Sequence, residues 1–177
     1  MRPPEPEPAP ARGPVAAALA ALAALCFAGA VPAQAPAPVP PDGAPSAEDI
    51  APLDADAWNR FAQAIDTLRL CVEGSRGART PAQSVQALQA LGLAGEMRER
   101  ALALLPADDP GRAAVEAAPD DAQAIMRSFQ AVSAWVPSRP IDQARALAYV
   151  YHFEARATGG ACVPSEDFLS NYQKTLS

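Results

Sequence analysis

The side chains that could carry out chemistry are few, and the single histidine, His152, is the first to consider. An imidazole with an ordinary pKa can act as a general base near neutral pH when suitable partners lie within hydrogen-bond reach. Tyr151 and Glu154 are close to His152 in sequence. Glu154, however, is two positions away, and residues at that spacing do not share a helical face. A small exported enzyme with a site around His152 is therefore one alternative, although we expect a structural role for this residue.

The remaining polar residues give no pattern typical of a catalytic or metal site. Cysteine, histidine and acidic residues do not occur at metal-ligand spacing, so we expect no metal and no cofactor, and we assign no catalytic residue. Adjacent acidic residues stand where helices are predicted to begin, where a carboxylate caps free N–H groups and complements the helix dipole. These pairs are Asp108-Asp109, Asp120-Asp121 and Glu166-Asp167.

One loop combines glycines with two arginines just before a predicted helix. Arg76 and Arg79 lie in this loop, and Thr80 is the expected N-cap of the following helix. Guanidinium groups beside a helix N-terminus can hold a phosphate, sulfate or carboxylate. Arg76, Arg79 and Thr80 are therefore candidates for an anion-binding loop, with an ordinary surface loop as the alternative.

The first 35 residues have the organisation of a secretory signal peptide. An arginine-flanked, proline-rich start leads into an uncharged, alanine-rich run from Val15 to Val31, and small residues follow. We predict cleavage after Ala33 and export to the bacterial periplasm. The alternatives are an uncleaved N-terminal membrane anchor, which a run of this length permits, and a lipoprotein acylated at Cys26.

Export would give the two remaining cysteines a structural role. Cys71 and Cys162 are 91 positions apart and form no CxxC pair. In an oxidising compartment two such cysteines are expected to form a disulfide. Closing a loop of this length would stabilise the fold by about 4 to 5 kcal/mol in the chain-entropy model.

The net charge of −6 limits the partners. An acidic chain without a basic cluster is a poor ligand for nucleic acid or for an anionic membrane, so we expect neither as a partner. Membrane association is expected only if the N-terminal segment is retained. The interpretation that remains is binding to an envelope protein or to a small ligand.

The chain after the signal peptide divides into a spacer and one folded domain. Residues 36–53 are rich in proline and lack periodicity, which predicts a disordered spacer. From residue 54 to 177 apolar residues recur at helical spacing behind clear start signals, such as Thr80-Pro81-Ala82-Gln83. We predict an all-α domain, a single irregular bundle of about five to six helices.

Residues 141–156 are the ambiguous part of this assignment. Leu147, Tyr149, Tyr151 and Phe153 alternate as in a strand, whereas Ala144, Leu147, Tyr151 and Ala155 recur as in a helix. We favour a helix because no partner strand is predicted elsewhere.

Together these patterns predict an exported, periplasmic helical protein that is not an enzyme and acts by binding a protein or ligand at the cell envelope. A carrier of a small apolar ligand is a further alternative, and it would require a pocket beside Phe129, Trp135 and Tyr151.

Overall fold

The fold was analysed in a computed structural model that describes residues 45–177. Helices contain 74% of the described residues, and no strand occurs among them, which confirms the all-α prediction. The predicted signal peptide, its cleavage site and the first part of the spacer lie outside the described residues. The helices are α1 (Ala47–Ile50), α2 (Ala55–Ser75), α3 (Pro81–Ala90), α4 (Ala94–Leu104), α5 (Pro110–Glu116), α6 (Asp121–Ala134), α7 (Pro140–Ala157) and α8 (Glu166–Leu176), with a 3₁₀ turn at Arg76–Ala78 after α2.

Helix starts follow the capping residues that the sequence indicates. The Thr80 hydroxyl accepts a hydrogen bond from the backbone N–H of Gln83, and the backbone N–H of Thr80 donates to the Gln83 side-chain oxygen, which completes a capping box. Asp109 and Asp120 are the N-caps of α5 and α6, where their carboxylates accept from the backbone N–H groups of Gly111 and Gln123. The paired acidic residues therefore have the structural role that was expected of them.

The folded domain begins earlier than residue 54, which corrects the predicted spacer boundary. Ser46 caps α1 in a second capping box with Asp49, and Ile50 and Leu53 are buried. The high proline content of residues 36–53 concealed a short helix, because one turn is too short to show apolar periodicity. This helix packs against α7, and it is one of eight helices within residues 45–177, compared with the predicted five to six.

Helix α7 lies at the centre of the bundle, in contact with α1, α2, α3, α4, α6 and α8. Its buried side chains include Tyr149, Tyr151, His152 and Phe153, which occupy more than one face of the helix. A helix that is surrounded by neighbours can be apolar over most of its circumference. This burial explains why residues 141–156 show strand-like alternation although they are helical.

Three arginines hydrogen-bond to carbonyl groups at the C-terminal ends of helices, where carbonyls lack helical partners. Arg79 donates to the Ala157 carbonyl at the end of α7, Arg98 donates to Val115 and Ala118 at the end of α5, and Arg112 donates to Leu102 and Leu105 at the end of α4. These arginines therefore connect helices to one another through their C-terminal ends.

The closest approach between α5 and α6 depends on a glycine. A Cβ atom at Gly111 would lie 2.7 Å from the Ala131 Cβ and 2.9 Å from the Asp109 carboxylate that caps α5. We expect Gly111→Ala to lower the free energy of unfolding by about 1 to 3 kcal/mol, because the two helices must separate. Urea denaturation measures this change.

Gly95 is a matched control for that prediction, because it is also helical and a Cβ there would have no heavy atom within 4 Å. Gly95→Ala should leave the free energy of unfolding unchanged or raise it by up to about 1 kcal/mol, since alanine favours the helix. Equal effects of the two substitutions would contradict the argument from packing.

None of the helices formed by residues 45–177 combines the length and apolar character that crossing a bilayer requires.

Candidate functional site

The two cysteines meet at one end of α2. The Cys71 and Cys162 sulfurs are 2.07 Å apart, so the predicted disulfide is present and joins the last turn of α2 to the segment before α8. Cys71 is exposed, whereas Cys162 is buried. The bond therefore fixes the position of α8 relative to α2, which it also contacts through Phe61 and Phe168.

The predicted anion-binding loop is held by contacts within the protein. Arg76 Nη2 donates to both carboxylate oxygens of Glu154, at 3.1 and 3.0 Å. Arg79 caps α7 through the Ala157 carbonyl, and the Thr80 hydroxyl is engaged in the capping box of α3. The geometry thus favours a structural role for all three residues, and an anion-binding role for Arg76, Arg79 and Thr80 stays a prediction.

The side chains of the alternative enzyme site are separated by the fold. The Tyr151 hydroxyl donates to Glu73 on α2 at 3.2 Å, and Glu154 pairs with Arg76. Burial, followed by the nearby Glu73 carboxylate, raises the pKa of Tyr151 to about 12. His152 instead packs among aromatic rings, nearly parallel to Phe168 at a centroid distance of 6.1 Å. The general base and its two proposed partners therefore do not share a site.

The surroundings of His152 keep its imidazole neutral. Its exposed fraction is 8%, and burial followed by the positive charges of Arg100 and Arg156 lowers its pKa to about 4. A group with this pKa is a weak base at neutral pH. The Nδ1 atom has no hydrogen-bond partner among the described residues, so the ring contributes mainly through its contacts with Phe153, Phe168 and Tyr172.

The side chains proposed to line an apolar carrier pocket lie against the packed core. Phe129 makes an edge contact with Tyr149, whose ring also packs on Phe153. Two depressions of about 220 and 180 Å³ occur on the described surface, and neither is lined by Phe129, Trp135 or Tyr151. The larger lies between α5 and α6 and includes Gly111 and Arg127, so these depressions do not support the carrier alternative.

Two exposed apolar residues are adjacent to the bonded cysteines. Leu70 and Val163 are 63% and 76% exposed, and each is adjacent in sequence to one of the bonded cysteines. Because the Cys71 and Cys162 Cα atoms are 5.9 Å apart, the Cα atoms of Leu70 and Val163 lie within about 14 Å of each other. We call Leu70, Cys71 and Val163 the disulfide surface.

The disulfide surface has a charged border on α2. Arg69 forms ion pairs with Asp66 and Glu73 at 3.2 Å, so alternating charges lie next to Leu70. An apolar centre with a polar rim is the usual composition of a protein-binding surface. The sequence showed Leu70 and Val163 only as isolated apolar residues, because their proximity depends on the disulfide.

No group of metal-binding side chains is assembled within residues 45–177. No protein-family model matches the chain, and no match was found among curated proteins or solved structures. The evidence for its function therefore comes from the contacts of its own residues.

Proposed function

We propose that this chain is an exported helical protein of the bacterial cell envelope, located in the periplasm, that binds another protein through the disulfide surface. The observation that carries the proposal is that Leu70 and Val163 are exposed apolar side chains next to the two bonded cysteines, so their Cα atoms lie within about 14 Å of each other. The protein acts by binding and does not perform catalysis.

The rigidity of the disulfide surface supports a binding role. Leu70 stands on the regular helix α2, and Val163 follows a buried cysteine that is bonded to the same helix. Apolar groups that are already ordered lose little conformational entropy when a partner covers them. Their burial then contributes to affinity at roughly 25 cal/mol per Å² of apolar area, before the costs of association.

Export is supported by two features that are independent of each other. The N-terminal residues have the composition of a signal peptide, and a disulfide is typical of an oxidising compartment. The acidic charge of the chain is consistent with a protein partner rather than nucleic acid. If the N-terminal segment were retained, the same domain would act close to a membrane.

Export is tested by expressing the full chain in a Gram-negative host and measuring its location and mass. We expect a periplasmic product that begins near Gln34, after cleavage at Ala33. A full-length product in the membrane fraction would overturn the soluble periplasmic form of the proposal, and a cytoplasmic product would overturn export itself.

Binding is tested by placing a photo-crosslinking amino acid at position 70 or 163 in the exported protein. Gln89, an exposed residue of α3, is the control position. We expect the same adduct from positions 70 and 163 and none from position 89. The partner is then identified by mass and purified, and Val163→Asp should weaken its binding at least about tenfold, equivalent to about 1.4 kcal/mol. Equal crosslinking at all three positions, or none, would contradict the proposal.

A further inference from the structure

A second group of polar residues, separate from the disulfide surface, lies where α4, α7 and α8 meet. Glu96 and Arg100 belong to α4, His152 and Arg156 belong to α7, and Tyr172 belongs to α8. Residues four positions apart, such as Glu96 and Arg100, are neighbours on one helix, but the proximity of the three helices could not be predicted because they are spread over most of the domain.

Two guanidinium groups share one carboxylate in this group. Arg100 Nη2 lies 2.9 Å from Glu96 Oε1, and Arg156 Nη1 lies 3.5 Å from Glu96 Oε2. Each arginine therefore engages a different oxygen of the same carboxylate. With His152 neutral, the three charged groups carry a net charge of about +1, which leaves positive charge that a second anion could neutralise.

One buried polar atom near the arginines is without a hydrogen-bond partner among the described residues. This atom is His152 Nδ1, and its residue is only 8% exposed. The Tyr172 hydroxyl, on a residue that is 2% exposed, lies within reach of Arg100: burial raises the pKa of Tyr172, and the hydrogen bond and charge of Arg100 oppose that rise. The His152 and Tyr172 rings are neighbours, with centroids 5.8 Å apart. Buried polar groups without partners are uncommon in folded proteins, so His152 Nδ1 is a candidate contact for a ligand.

The position of Arg100 is fixed by aromatic rings. Its Cζ atom lies 5.4 Å from the centre of the Tyr172 ring and 6.0 Å from that of Phe153. These contacts stabilise the cation and restrict its rotamers, so little ordering is required when it binds an anion. Arg100 and Arg156 remain 26% and 39% exposed, which gives a ligand access from solvent.

We propose that Arg100 and Arg156 form a binding site for a small carboxylate ligand, and that the Glu96 side chain occupies this site until the ligand replaces it. The ion pairs with Glu96 show that the two guanidinium groups can hold a carboxylate. Glu96 is partly exposed and can rotate into solvent at low cost, because ion pairs that are open to solvent contribute little to stability. His152 and Tyr172 supply polar atoms next to the bound carboxylate.

This proposal is independent of the proposed protein-binding function, because the two surfaces share no residue. Loss of crosslinking at Leu70 or Val163 would leave carboxylate binding intact, and failure of carboxylate binding would leave the protein-binding proposal untouched.

The proposal is tested by titrating the folded protein with sodium acetate and following NMR signals from the arginine Nε–H groups and the His152 ring. Sodium chloride at the same ionic strength separates carboxylate binding from general screening. We expect shifts of the Arg100, Arg156 and His152 signals with acetate only. Glu96→Gln removes the internal carboxylate and should bind acetate about tenfold more tightly, equivalent to about 1.4 kcal/mol.

Two further variants make the test specific. A double variant, Glu96→Gln with Arg156→Gln, should not show the gain in acetate affinity that is expected of Glu96→Gln alone. Glu73→Gln is the matched control, since Glu73 also pairs with an arginine beside a tyrosine, and this variant should bind acetate as the unmodified protein does. Three results would overturn the proposal. They are the same gain in acetate affinity in Glu73→Gln, identical NMR shifts with chloride, and no shift of the Arg100 and Arg156 signals in either the unmodified protein or Glu96→Gln.

Discussion

Replacing both Cys71 and Cys162 with alanine is expected to lower the free energy of unfolding by about 4 to 5 kcal/mol in the chain-entropy model. The cysteines are 91 positions apart, so the bond restricts the unfolded chain over most of the domain. A domain of this size has a total stability of about 5 to 15 kcal/mol, so the variant would retain only part of it. Urea or thermal denaturation under oxidising conditions measures the difference.

A reductant provides the control for this prediction. It should destabilise the unmodified protein by a similar amount and leave the double alanine variant unchanged, because the variant has no bond to reduce. Thiol counting on the oxidised, unfolded protein is the complementary measurement. A chain cleaved after Ala33 should show no reactive thiol, and a full-length chain should show only that of Cys26. Reactive Cys71 and Cys162 would contradict the disulfide.

Acid is expected to destabilise the protein through His152 between about pH 6.5 and pH 4. The folded-state pKa is lowered to about 4 by burial and by Arg100 and Arg156, whereas the unfolded side chain titrates near 6.5. As the pH falls through this range, the unfolded chain binds a proton before the folded protein does. The free energy of unfolding therefore decreases, by roughly 3 kcal/mol at most, and the histidine contributes no further loss below pH 4.

The contribution of His152 is isolated by comparison with variants that do not titrate in this range. His152→Phe and His152→Gln should each show a flatter pH dependence between pH 4 and 6.5, whatever their stability at pH 7. The pKa of Asp49 is lowered by its hydrogen bonds with Ser46, and that of Asp142, against the effect of burial, by Arg139 and Arg145. The stabilisation from these carboxylates is therefore lost at lower pH than that from His152, and equally in the unmodified protein and both variants. Parallel stability curves for the unmodified protein and both variants would show that His152 is not the titrating group.

Local features of the fold could be predicted because their causes are local. The start of α3 at Pro81 follows from Thr80 and Gln83, whose side chains satisfy N–H groups within the same turn. The helical assignment of α7 also succeeded, although its apolar alternation resembled a strand. That resemblance has a tertiary cause, because α7 is buried on several sides by its neighbours.

Features that depend on two distant segments were missed. No pattern predicted that Arg98 caps the end of α5 through Val115 and Ala118. The ion pair of Arg76 with Glu154 on α7 was likewise not predicted. Nothing in the spacing of an arginine indicates which carbonyl or carboxylate it will meet, since its side chain is long and its partner is selected by packing.

The sequence by itself determined the helical class, the helix starts, the candidate disulfide and the expectation of export, because capping, periodicity and composition act over a few residues. The tertiary structure alone decided which polar residues become neighbours. It separated His152 from Tyr151 and Glu154 and placed it beside Arg100, Arg156 and Tyr172. Through the disulfide, it also brought the Cα atoms of Leu70 and Val163 within about 14 Å of each other. The physical reason is that burial of the apolar faces fixes how the helices rotate and cross, and the polar side chains take whatever partners that packing provides.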